Sequence, residues 1–63
     1  MTHTEPGILE RRRAALVRDL EDARRELEQV HASLDRYERM IEAPRLLAEI
    51  RRFEFEIRHI DEA

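Results

Sequence analysis

Residues 9–44 read LERRRAALVRDLEDARRELEQVHASLDRYERMIEAP, a run without glycine that fills more than half of a 63-residue chain. Within it Leu16, Leu20, Ala23, Leu27, Val30, Leu34, Tyr37 and Ile41 follow one another at steps of 4, 3, 4, 3, 4, 3 and 4 residues. That alternation holds apolar side chains on one side of an α-helix for more than three heptads. Traced backwards it reaches Arg13 and Leu9, so a charge interrupts the seam once. Arg13 is therefore a candidate for setting register. Val17 lies beside Leu16 and Leu20 and widens the stripe beyond a two-stranded seam.

The spacing predicts a long amphipathic helix over residues 7–42, preceded by a tail and cap at residues 1–6. Thr4 can cap, Glu5 suits the positive end of a helix, and Pro6 is tolerated in a first turn. On the exposed faces Arg18 and Asp22, Glu21 and Arg25, Arg24 and Glu28, and Asp35 and Arg39 stand at i, i+4. Such pairs contribute about 0.2 to 0.5 kcal/mol each.

Outward from this run the pattern changes at Pro44. Proline removes a backbone donor and pushes the preceding residue away from helical angles. Beyond it Leu46, Ile50, Phe53, Ile57 and Ile60 resume the spacing at 4, 3, 4 and 3 residues. The step from Ile41 to Leu46 is five residues, which turns the second stripe by about 140° relative to the first at 100° per residue. Two geometries satisfy this. Either the chain turns back at Pro44, or Pro44 kinks one continuous helix whose two stripes meet different partners. The coincidence of phase shift and proline favours the αα-hairpin, with a turn and short second helix over residues 43–63.

Such a hairpin has unequal arms, and a chain this small seldom gains more than ~3 to 5 kcal/mol from one core without further support. Cysteine is absent, so disulfides supply none. The expected fold is all-α, one domain, with the hairpin assembling as an antiparallel homodimeric bundle or coiled coil. Its interface residues would be Leu9, Leu16, Val17, Leu20, Leu27, Val30, Leu34, Tyr37, Ile41, Leu46, Ile50, Phe53, Ile57 and Ile60. Leu47 and Phe55 point off the second stripe and are candidates for contact with another protein.

Composition narrows the function. Twelve arginines stand against 15 acidic residues for a net charge of -3, with no lysine. That balance argues against nucleic acid or an anionic membrane as partner. Arg11, Arg12, Arg13 and Arg18 form a local basic patch that could meet phosphates, but acidic residues surround it and no aromatic interleaves. No apolar run approaches the ~20 residues needed to span a bilayer, and a cytoplasmic protein is expected. Ser33 is the only serine and Gly7 the only glycine, so neither a nucleophilic triad nor a phosphate-cradling loop can be assembled. No enzyme and no cofactor is expected.

One chemical pattern remains. EQVH, Glu28 to His31, and EIRH, Glu56 to His59, each place a carboxylate and an imidazole on one helical face. Ferritin-like di-iron bundles use such units from two helices, so a metal-binding bundle is an alternative, with Glu28, His31, Glu56 and His59 as candidate ligands. Here they flank the apolar stripes instead of lying in them. The leading expectation is a non-enzymatic helical interaction protein, an oligomeric scaffold or a regulator, acting through contacts with itself or another protein. A nucleic-acid-binding helical dimer ranks third.

Overall fold

The computed structural model describes residues 7–62 and consists, among those residues, of two helices without strands. Helix α1 is Ile8–Ala32 and α2 is Arg36–Glu62. They pack side by side as a helical hairpin. Expectations for Thr4, Glu5 and Pro6 fall outside the described residues.

The turn is not at Pro44. The chain reverses at Ser33, Leu34 and Asp35, about ten residues earlier, and Pro44 lies inside α2. Side-chain chemistry explains the site. Asp35 caps α2, its Oδ1 accepting from the backbone N–H of Tyr37 at 2.9 Å and of Glu38 at 3.4 Å. These are donors that the first turn of a helix otherwise leaves unpaired. Ser33 Oγ accepts from Asp35 N–H at 3.1 Å and donates to Glu38 Oε2 at 3.2 Å. The Arg39 guanidinium closes on the Ser33 carbonyl, while Ser33 N–H bonds back to the Val30 carbonyl at 3.0 Å. Ser33 and Asp35 thus satisfy both helix ends within three residues.

Pro44 fails to end the helix because its neighbours are held by packing. Ala43 and Leu46 are buried against Val30, so residues on both sides of the proline are fixed in helical register. The ring itself is exposed, and the Met40 carbonyl that loses its usual N–H partner lies on the same outer side of α2.

The hairpin seam is built from the expected spacing, redistributed. Leu16, Leu20, Ala23 and Val30 of α1 face Ala43, Leu46 and Ile50 of α2, all buried. Toward the open end Leu20, Ala23 and Ile50 cluster with Leu27, Phe53 and Ile57. Toward the turn Val30, Ala43 and Leu46 cluster, with Leu27 joining the two. Leu46 is the most enclosed side chain, at 2 % exposure. Val17 and Ile60 are half-buried, and Leu9 is exposed.

The last three members of the expected seam are elsewhere. Leu34 is 97 % exposed in the turn, and Tyr37 and Ile41 are exposed on α2. Placing the turn at residues 33–35 restarts the helical phase, so the 3 and 4 spacing continues in sequence without continuing on one surface. The arms are also nearly equal, 25 and 27 residues. No half of α1 is left bare by a shorter partner, and the unequal-arm argument for a dimer does not apply.

Ion pairs tie the helices along their edges: Arg12 to Glu56 at 2.9 Å, Arg13 to Asp61 at 2.6 Å and Arg24 to Glu54 at 2.8 Å. Arg24 therefore reaches across the hairpin instead of pairing with Glu28, and Arg25 pairs with Asp22 at 3.2 Å.

A candidate interaction face on the second helix

Helix α2 carries two apolar stripes, and the hairpin covers one. With 100° per residue, Tyr37, Met40, Ile41, Pro44, Leu47, Ala48 and Phe55 fall within about 80° of the line from Tyr37 to Phe55. Ala43, Leu46, Ile50, Phe53, Ile57 and Ile60 lie about 120° or more from it. The five-residue step at Ile41 to Leu46 is the sequence trace of this arrangement: it marks opposite faces of one helix, not a reversal of the chain.

The outer stripe is open. Tyr37 is 72 % exposed and Phe55 68 %, and Met40, Ile41, Pro44, Leu47 and Ala48 are exposed between them. Along the line itself the first charge is Arg51. Helix α1 has no counterpart, since its outer side is Arg11, Arg18, Glu21, Asp22, Arg25 and Glu28, all exposed. The hairpin covers one apolar side of α2 and leaves the other exposed, with Arg45, Arg51, Arg52 and Arg58 on its borders.

The stripe ends in a shallow cavity of about 110 Å³ lined by Arg12, Phe55, Glu56, His59 and Ile60. Phe55 and His59 stack there with ring centroids 6.2 Å apart and planes at 15°. Glu56 is held between Arg12 at 2.9 Å and Arg52 at 3.3 Å. The cavity is thus mostly apolar, bordered by the Phe55–His59 stack and by the Arg12–Glu56 ion pair.

The other candidates are placed as follows. The two Glu-x-x-His units sit at opposite ends of the hairpin, His31 in the last turn of α1 and His59 in the last turn of α2. At 1.5 Å per residue they are roughly 35 Å apart, so one chain does not bring them together. Among the described residues no cluster of three or more His, Asp or Glu side chains is arranged to hold a metal. In the basic patch Arg12 and Arg13 are engaged by Glu56 and Asp61, and Arg11 and Arg18 are exposed. No described helix is long and apolar enough to cross a membrane.

Leu47 and Phe55 lie on the outer stripe together with Tyr37, Met40, Ile41 and Ala48. Met40 and Ala48 were not singled out from the sequence. The signal that finds them is the position of the cap: once Asp35-x-x-Glu38 is read as the start of a helix, the outer stripe follows by counting. No protein-family model, no curated protein and no solved structure matches this chain.

Proposed function

We propose that this is a non-enzymatic helical interaction protein, acting as a small oligomeric scaffold or regulator, whose contact surface is the outer face of α2. The observation that carries the reading is the second apolar stripe from Tyr37 to Phe55, opposite the covered seam. Exposed apolar faces of this kind on soluble proteins mark sites of association, and an amphipathic helical face docks by anchors at i, i+3, i+4 and i+7. The small size of the hairpin points the same way, because burial of a second face adds apolar area that a two-helix core lacks. The first partner of such a face is a second copy of the chain, and a closed two-fold pair is the commonest solution.

Sedimentation velocity over a concentration series tests the reading, with wild type beside Leu47→Glu. Wild type should sediment as an assembly, and Leu47→Glu should sediment as a helical monomer. A wild type that remains monomeric throughout, or a Leu47→Glu variant that assembles equally well, overturns it.

A further inference from the structure

We infer that the outer face of α2 is built to receive an acidic amphipathic helix of another protein, and that such a helix displaces a second copy of this chain. The inference rests on the interaction face proposed above and names the chemistry of its occupant.

Charge is sorted around α2. From Tyr37 to His59 every charged side chain within about 80° of the centre line of the outer stripe is an arginine. These are Arg45, Arg51, Arg52 and Arg58, all exposed. Glu38, Glu42, Glu49, Glu54 and Glu56 lie about 100° or more from that line. The ion pairs of the hairpin follow the same division. Glu54 and Glu56 turn to Arg24 and Arg12 of α1, while Glu42 and Glu49 hold Arg45 from the side. Arg51 and Arg58 share one side of the helix at i, i+7 and make no ion pair among the described residues. A chain of net charge -3 therefore presents an apolar face that is locally cationic.

A second copy matches the apolar centre of this face but not its charges. Side by side in parallel, Arg51 meets the partner's Arg51; reversed about the middle of the stripe, Arg45 meets the partner's Arg45. Like charges within a contact work against association and opposite ones select the partner. A lipid surface suits the face less than a helix does. Arg51 lies about 40° from the centre line, between Ala48 and Phe55, so immersing the stripe would carry a guanidinium into the apolar layer. A helix instead sets a carboxylate against that guanidinium, in the forked geometry arginine favours, while its apolar side packs on Tyr37, Leu47 and Phe55. From Tyr37 to Phe55 the stripe runs about 27 Å, five turns of such a helix. Docking there makes α2 the middle of three helices, covered by α1 on one side and by the acidic helix on the other.

Three dye-labelled peptides of about 20 residues test the occupant. All carry leucine at i, i+3, i+4 and i+7, flanked by glutamate in the first, glutamine in the second and lysine in the third. Anisotropy titrations with the whole chain should favour the glutamate peptide over the lysine peptide by about tenfold or more, and added salt should narrow the difference. In native mass spectrometry the glutamate peptide should convert self-associated protein into a one-to-one complex. Leu47→Glu should lose that peptide. The double variant Arg51→Glu with Arg58→Glu should reverse the order and prefer the lysine peptide; both positions are exposed and off the seam, so its circular dichroism should match wild type. Equal binding of the three peptides, or an order that the double variant does not move, overturns the acidic occupant while leaving the interaction face standing. So does self-association that persists with no peptide bound, or binding of phosphatidylglycerol vesicles in place of every peptide. A chain that binds no peptide and stays monomeric overturns both.

Discussion

Arg13 and Asp61, 48 residues apart, join the open ends of the two helices through a forked contact, Nε to Oδ1 at 2.6 Å and Nη2 to Oδ2 at 3.1 Å. The hydrogen bond from Arg13 holds the Asp61 carboxyl below its ordinary value of 3.8. A carboxylate with a lowered native pKa stabilises the fold above its unfolded pKa, and that contribution is lost as pH falls through the native value. Both side chains are solvent-exposed, so the effect on global stability is small and sensitive to salt. The expected outcome is local. In Asp61→Asn at neutral pH, amide exchange should accelerate at residues 8–13 and 58–62 and stay unchanged at the turn, and below about pH 4 wild type should lose the same protection at its open end. Equal acceleration at both ends of the hairpin would show that the pair does not act as a clasp.

Heptad spacing makes Leu46 and Leu34 alike, and the structure makes them opposites, 2 % against 97 % exposed. Leu46→Ala deletes buried methyl groups between Val30 and Ala43 and should cost about 2 to 5 kcal/mol, enough to unfold a hairpin of this size. Leu34→Ala should leave thermal stability within about 0.5 kcal/mol of wild type. Leu27, which joins both core clusters, belongs with Leu46: Leu27→Asp should abolish helicity. Circular dichroism melts of the three variants decide it, and equal losses for Leu34→Ala and Leu46→Ala would contradict the position of the turn.

Pro44 supplies a third test. Proline inside a helix costs about 3 kcal/mol relative to alanine, through a lost hydrogen bond and a clash with the preceding turn. Since α2 runs through Pro44, Pro44→Ala should raise both helicity and melting temperature. Asp35→Ala should do the reverse, removing the cap from Tyr37 and Glu38 at a cost of about 1 kcal/mol. Had the chain turned at Pro44, alanine there would destabilise and Asp35 would tolerate substitution.

That contrast also explains what the sequence made legible. The all-helical class, the pairing of two helices and the seam from Leu16 to Val30 against Leu46 to Ile57 all follow from apolar spacing, which reports burial directly. The place of the turn does not follow from the proline, because side-chain capping at Ser33 and Asp35 decides it. Ser33, Asp35 and Glu38 offer side-chain partners to the unpaired groups of both helix ends, whereas Pro44 merely lacks one donor among neighbours already locked by Ala43 and Leu46. Tertiary packing overrides a weak local preference, and it does so here at a position exposed on the outer side of the hairpin. The step from Ile41 to Leu46 separates two stripes by about 140° on one continuous helix. Their meaning changed with the turn, from two arms facing each other to one helix facing two ways, and the candidate contacts Leu47 and Phe55 gained Tyr37, Met40 and Ala48 as neighbours.

Tyr37 gives that outer face its own reporter. The chain has one tyrosine and no tryptophan, so intrinsic emission comes from a side chain at the end of the stripe and from nowhere in the hairpin seam. On association through the outer face the ring passes from solvent into the contact, and its rotational freedom falls. Emission anisotropy should therefore rise with protein concentration along the same curve as the sedimentation coefficient. Leu47→Glu should hold the signal at its dilute value, and Tyr37→Ala should weaken assembly without lowering the helicity of the monomer. Anisotropy that stays flat while the sedimentation coefficient climbs would locate the contact away from Tyr37 and remove the outer stripe from the interface.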